Sequence, residues 1–157
     1  MLEINIPGFG NLELTHLVCD FTGTLSVDGH LLPGLRDLLD ELAAPLTIHV
    51  VTADTFGRAR DELAGLPCSM TVLSGKNLDV QKEQYVLALG KDQVIAIGNG
   101  ANDRRMLKVA RLGIAVIEGE GCAIDAVQNA DILVRSIQEG LSLLLNPKRC
   151  VATLRSS

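Results

Sequence analysis

Short apolar runs alternate with helical patterns through most of the chain, and this alternation constrains the fold more than any other feature. The runs are Thr15–Cys19, Thr47–Val51, Met70–Leu73, Gln93–Ile97, Gly113–Ile117 and Asp131–Val134. Several read as nearly continuous apolar stretches, as expected of strands covered on both faces. Between the first two, Leu35, Leu38, Leu39 and Leu42 fall at i, i+3, i+4 and i+7, one helical stripe. Pro33 sits near the first turn of that helix, where its missing donor costs nothing. Further helices are expected at 55–64, 78–89, 101–110, 121–128 and 136–145. Strand–helix alternation with short links predicts an α/β chain: a three-layer, Rossmann-like parallel sheet flanked by helices and joined by right-handed crossovers.

The two ends depart from this pattern. Leu2–Ile6 and Leu12–Leu14 alternate apolar and polar around Pro7-Gly8-Phe9-Gly10-Asn11, which predicts an N-terminal β-hairpin within residues 1–14. Residues 146–157 form a mildly basic tail, read as a short helix or packing arm. The 157 residues are expected to make a single domain, 1–157. A formal charge of −5 argues against nucleic acid as a partner, because backbone phosphates are held by basic surfaces. Although 47% of residues are hydrophobic, every apolar run is short of the roughly 20 residues a spanning helix needs, so no membrane partner is expected. Cys19, Cys68, Cys122 and Cys150 lack metal-site or disulfide spacing, which points to a reduced, cytoplasmic setting.

In a parallel sheet, ligands bind at the carboxyl ends of the strands, near the switch in strand order. Four strand ends carry polar groups in chain order. Asp20 follows the first core strand, with Gly23 allowing a sharp turn; Thr52 ends the next. Lys82 lies near the start of the following helix, and Gly98-Asn99-Gly100-Ala101-Asn102-Asp103 opens the next. A carboxylate can attack phosphorus to give an acyl phosphate, which splits one hard displacement into two easier steps. The lysine and threonine can hold phosphoryl oxygens, while Asp20 and Asp103 can hold Mg²⁺, a cation that takes oxygen ligands. Asn99 and Asp103, four residues apart, are expected to approach one another. Asp54 reads as an N-cap, and His16 and His49 as strand histidines without a site role. Glu118-Gly119-Glu120-Gly121, after a strand and before a helix, reads as a capping turn, with contact to a ligand as the alternative.

The ordered set resembles the haloacid dehalogenase-like superfamily of aspartyl-phosphate phosphotransferases. Asp20-Phe21-Thr22-Gly23-Thr24-Leu25 is similar to its first motif, D-x-D-G-T-[LV]. Thr52 matches the second motif, Lys82 (with Lys76 as the alternative) the third, and Gly98–Asp103 the fourth, G-D-G-x-N-D. The threonine at position 22 also resembles the D-K-T-G-T motif of P-type ATPases. The whole chain looks like the small soluble P-type ATPase-like members, through Thr52–Gly57, Ile97–Asp103 and Leu144–Arg149. The resemblance implies that Asp20 and Thr22 are the catalytic positions and that Thr52, Lys82 and Gly23 bind phosphate. It assigns Mg²⁺ to Asp20, Thr22 (through its carbonyl), Asn99 and Asp103.

Two departures qualify that expectation. Thr22 stands where phosphatases of the superfamily carry an acid–base aspartate, so alkyl phosphates should turn over slowly. Asn99 replaces an aspartate and removes one negative charge from the expected metal site. Asp28 and His30 are the alternatives for the missing acid, set against an ordinary surface loop. Leu25 to Thr47 and Thr52 to Lys82 are too short to hold a cap domain. The expected substrate is a phosphorylated small molecule or a phosphoprotein at an open site, which a second copy of the chain would cover. The alternative function is a non-catalytic, phosphate- or nucleotide-responsive interaction module.

Overall fold

A computed structural model describes all residues, Met1–Ser157. In chain order the elements are β1 (Leu2–Ile6), β2 (Gly10–Leu14), β3 (His16–Cys19), β4 (Ser26–Val27), β5 (His30–Leu31), α1 (Leu35–Leu42) and β6 (Thr47–Thr52). There follow α2 (Ala59–Glu62), β7 (Ser69–Val72), α3 (Leu78–Leu89), β8 (Val94–Gly98), α4 (Arg104–Val109), β9 (Leu112–Val116), α5 (Ile124–Asn129), β10 (Ile132–Val134), α6 (Ile137–Leu145) and α7 (Pro147–Leu154).

Six strands form one parallel sheet in the order β10-β9-β8-β3-β6-β7. The chain starts at the central β3, runs outward through β6 to β7, then returns to β8 on the opposite side of β3. The order therefore switches between β3 and β8, and the carboxyl ends of these two strands open onto one crevice. Alternate strand residues feed two cores. Leu17, Cys19, Ile48, Val50, Ile95 and Ile97 pack with the first hairpin, α1 and α6; Val18, Val51, Val94 and Ala96 join the core that holds Val86, Met106 and Leu107 of α3 and α4. Burial on both faces is the physical source of the continuous apolar runs. No helix is long and apolar enough to cross a membrane.

The six expected core strands all form, and α3 covers the expected span. The helix expected at 55–64 contracts to four residues, because Asp54 (φ 52°) and Gly57 (φ 69°) adopt left-handed backbone that a helix cannot continue through. Asp54 is not its N-cap; Arg58 holds that position. The Asp54 carboxylate instead reaches along the turn, and its Oδ1 accepts the N–H groups of Arg58 and Ala59, both at 2.9 Å. The stretch expected to be helical from 101 opens as a 3-10 turn, Ala101–Asp103, before α4 begins. β1 and β2 pair antiparallel, with Ile4, Ile6, Leu12 and Leu14 turned into the core. The tail forms α7, and the Ser156 N–H beyond it donates to the Pro7 carbonyl of that first hairpin at 3.0 Å.

One element escaped the sequence reading. β4 and β5 form a small antiparallel hairpin whose two-residue turn is Asp28 (φ 53°) and Gly29 (φ 81°). Both torsions are positive, as a type I′ turn requires, and Asp-Gly is a common pair for it. This hairpin is the whole insertion between β3 and α1, and α2 the only helix between β6 and β7; no extra cap is evident.

Candidate active site

The site grows from the loop after β3. Asp20 extends the ladder by one residue, its N–H donating to the Ile97 carbonyl of β8 at 3.0 Å. The Phe21 side chain is fully buried, and its carbonyl accepts the N–H groups of Thr24, Leu25 and Ser26 and the Ser26 hydroxyl. A single carbonyl thus winds the loop into a tight turn that presents Asp20 and Thr22 at the strand end. Gly23 (φ 78°) meets both demands of the turn: a positive φ, and space for the Asn99 amide where a Cβ would stand.

Opposite this loop, β8 opens into the Gly98–Asp103 turn. Asp103 Oδ2 accepts the N–H groups of Asn99 (3.0 Å) and Gly100 (2.9 Å), which fixes the turn from inside. Gly98 has no Cβ because the Asp103 carboxylate packs into that space. The Asn99 side chain points the other way. Its Oδ1 accepts the Thr24 hydroxyl at 3.1 Å, and its Nδ2 donates to the Gly121 carbonyl at 3.1 Å. Asn99 and Asp103 do approach, through the Asn99 backbone.

Lys82 arrives from α3, almost fully buried. Its ammonium donates to Asp103 Oδ1 (2.7 Å), Asp20 Oδ1 (3.0 Å) and Asn102 Oδ1 (3.0 Å), so its three donors meet three oxygens. A buried ammonium without partners would cost several kcal/mol; two carboxylates and an amide offset that cost. Burial alone would lower the Lys82 pKa, but Asp103 and Asp20 outweigh it and hold the group above its ordinary range. Burial acts in the opposite sense on Asp20. With the Asp103 charge adding to it and Lys82 opposing, the Asp20 carboxyl is pushed up to about 7. Thr52, fully buried at the end of β6, accepts the Asp54 N–H at 2.9 Å through its Oγ1. Its hydroxyl hydrogen remains available to an incoming acceptor.

These groups converge on a cavity of about 400 Å³ at the carboxyl edge of the sheet. Asp20, Thr22, Thr52, Lys82 and Asn99 line it, whereas Gly23 and the fully buried Asp103 lie behind its wall. Thr22 Oγ1 is buried without any hydrogen-bond partner, the one buried side-chain oxygen or nitrogen so left. Lys76 is exposed and away from this wall; only its carbonyl is engaged, by Gln81. Asp28 and His30 are exposed, and the His30 Nδ1 lies 3.6 Å from Glu62, outside the cavity lining. His16 and His49 are hydrogen-bonded to each other at 3.0 Å, and His49 also bonds the Tyr85 hydroxyl at 2.9 Å.

Sequence reasoning prefers a capping turn for Glu118–Gly121 and does not single out Glu120, although ligand contact is the alternative for that segment. The capping role expected of its segment belongs to Glu118, whose Oε1 accepts the Ile137 N–H that starts α6. Glu120 instead lines the cavity, the one carboxylate there besides Asp20. Its proximity comes from tertiary packing of the loop after β9 against the β4–β5 hairpin. The only local hint was its place beyond a strand end.

Residues 76–139 match the family model of haloacid dehalogenase-like hydrolases, a span containing Lys82 and the whole Gly98–Asp103 turn. The chain belongs to this family. Among haloacid dehalogenase-like proteins of known structure, the cobalt-bound deoxy-D-mannose-octulosonate 8-phosphate phosphatase of Haemophilus influenzae superposes with a TM-score of 0.71. It is 13% identical, over 89% of this chain and 92% of that one. The 3-deoxy-D-manno-octulosonate 8-phosphate phosphatase of Moraxella catarrhalis, solved with magnesium, phosphate and its sugar, gives 0.57 at 18% identity, over 88% and 90%. A zinc-transporting PIB-type ATPase gives 0.63 at 24% identity, over 78% of this chain and 20% of that one. An uncharacterized protein of Methanocaldococcus jannaschii is 49% identical over 63 residues, which are 40% of this chain and 68% of that protein.

Proposed function

We propose that the protein is a Mg²⁺-dependent phosphohydrolase or phosphotransferase that works through an aspartyl phosphate on Asp20. The observation that carries this reading is the hydrogen-bonded trio Asp20–Lys82–Asp103, whose Asp20 and Lys82 line a cavity with Thr52 while Asp103 holds Lys82 from behind. Asp20 would attack phosphorus, and the leaving oxygen would depart from the opposite side. The Lys82 ammonium and the Thr52 hydroxyl would hold the equatorial oxygens, with Lys82 exchanging one of its protein partners for the substrate. Gly23 contributes to phosphate binding through the turn it permits.

The donor set fits a hard divalent cation. The cavity offers oxygens from Asp20, Thr22 and Asn99, and Mg²⁺ takes few carboxylates alongside water and substrate phosphate. When bound, Mg²⁺ supplies neutralisation of phosphoryl charge. Asp20, the Thr22 carbonyl and the Asn99 amide oxygen would hold it. Asp103 would act on the metal site from behind, because its carboxylate is fully buried and does not line the cavity.

The substrate class, a phosphorylated small molecule or phosphoprotein, is supported by family membership and by the sugar-phosphate phosphatases among the structural neighbours. Four free cysteines fit a reducing, cytoplasmic compartment. The test is Mg²⁺-dependent hydrolysis of an aryl phosphate, which Asp20→Asn is expected to reduce to background. Equal rates in the two proteins would refute the reading. A second reading, a phosphate-responsive module without turnover, is favoured by the complete internal pairing of Lys82. It expects beryllofluoride with Mg²⁺ to raise Tm in an Asp20-dependent way while no phosphate ester is hydrolysed.

A further inference from the structure

Thr22 lines the cavity but leaves the site without a proton acceptor beside Asp20, since a hydroxyl is no base near neutral pH. Glu120 is the other carboxylate on the same wall. It is held by a loop anchored on two sides. On one side, the Asn99 carbonyl accepts the Ala123 N–H at 2.7 Å and the Asn99 amide donates to the Gly121 carbonyl. On the other, Val27 of β4 packs over Gly119, and Glu120 Oε2 accepts the Asp28 N–H at 3.0 Å. That bond fixes one carboxylate oxygen of a side chain that lines the cavity, and Oε1 takes no hydrogen bond from the protein.

We infer that Glu120 is the general base that hydrolyses the phosphorylated Asp20, an assignment that rests on the aspartyl-phosphate reading above. In this step water attacks the phosphorus and passes its proton to Glu120. The bond between phosphorus and the Asp20 oxygen breaks, its electron pair returns to the Asp20 carboxylate, and inorganic phosphate leaves. Glu120 then releases the proton to solvent. The division of labour follows from chemistry. Expelling the Asp20 carboxylate needs no acid, so a base alone suffices for this second step. The first step, with no acid at position 22, depends on the leaving group itself.

Glu120→Gln tests the base directly, because the glutamine carbonyl still accepts the Asp28 N–H while the amide cannot take a proton. Wild type, Glu120→Gln and Asp20→Asn are each mixed with ³²P-acetyl phosphate and Mg²⁺, chased with unlabelled substrate, and the acid-precipitable label is followed. The expected result is an Asp20-dependent label in Glu120→Gln that decays about 10²-fold more slowly than in wild type, at unchanged Tm. Label that is Asp20-dependent but decays at the wild-type rate overturns the role of Glu120 and leaves the Asp20 reading intact. A Glu120→Gln protein that takes no label while wild type does also overturns it, since Glu120 would then act before the intermediate. No turnover and no Asp20-dependent label in wild type or Glu120→Gln overturns both readings.

Discussion

At the scale of single residues, Asp20 carries a heavy electrostatic burden: its carboxyl is buried beside the Asp103 carboxylate and only partly relieved by Lys82 and the Phe21 N–H. Its pKa is raised from 3.8 to about 7 on folding, so between those values the folded protein binds a proton that the unfolded chain does not. Stability must then fall as pH rises through that window. Asp20→Asn removes the titrating group and keeps an oxygen for Lys82. In EDTA, the Tm of this variant is expected to match wild type near pH 4 and to exceed it increasingly toward pH 8. Each kcal/mol corresponds to about 2–4 °C in a chain of this size. Mg²⁺ should reverse the order at pH 8, raising the Tm of wild type more than that of the variant. A Tm difference independent of pH, followed by differential scanning fluorimetry, would show that Asp20 titrates normally in the fold.

Elements position these residues through contacts that single side chains do not reveal. α4 begins directly after Asp103 and lies so close to β9 that a Cβ on Gly113 would collide with the Leu107 carbonyl oxygen. Because the obstacle is backbone, Gly113→Ala must displace the helix. A loss of about 1–3 kcal/mol is expected in urea unfolding, the range typical of overpacking. The displacement should also lower kcat by loosening the Asp103–Lys82 contact at the head of α4. Full activity and stability in Gly113→Ala would mean that α4 moves without disturbing Asp103.

The same scale explains what the sequence made legible. Strands covered on both faces leave apolar runs, so β3, β6, β8 and β9 could be read directly, and with them the strand-end positions of Asp20, Thr52 and Asn99. Lys82 could be proposed from order along the chain, but its three hydrogen bonds arise only when α3 packs against the turn before α4. The Asp28-Gly29 turn carried a local signal that went unread. Glu120 carried only its place beyond a strand end, since its position on the cavity wall depends on a two-residue strand, Val27 packing on Gly119, and an Asn99 strut.

For the whole molecule, the question is how a site with so little around it could discriminate. The insertions after β3 and β6 amount to a hairpin before α1 and a single-turn helix before β7, and no aromatic side chain lines the cavity. Shape selection at the crevice therefore has few contacts to draw on, unless a second copy of the chain closes over it. The chemistry at position 22 supplies a different filter. Without an acid to protonate the departing oxygen, phosphorylation of Asp20 should slow as that oxygen becomes more basic. Across acyl, aryl and alkyl phosphates, log kcat/KM is thus expected to fall steeply with leaving-group pKa and to vary little with substrate size. Thr22→Asp should flatten the trend by raising the rate on alkyl phosphates, by about 10²-fold or more where proton transfer limits. A wild-type protein that favours one sugar phosphate over better leaving groups would place its selectivity in contacts made outside this cavity, and the role assigned to Thr22 would fall.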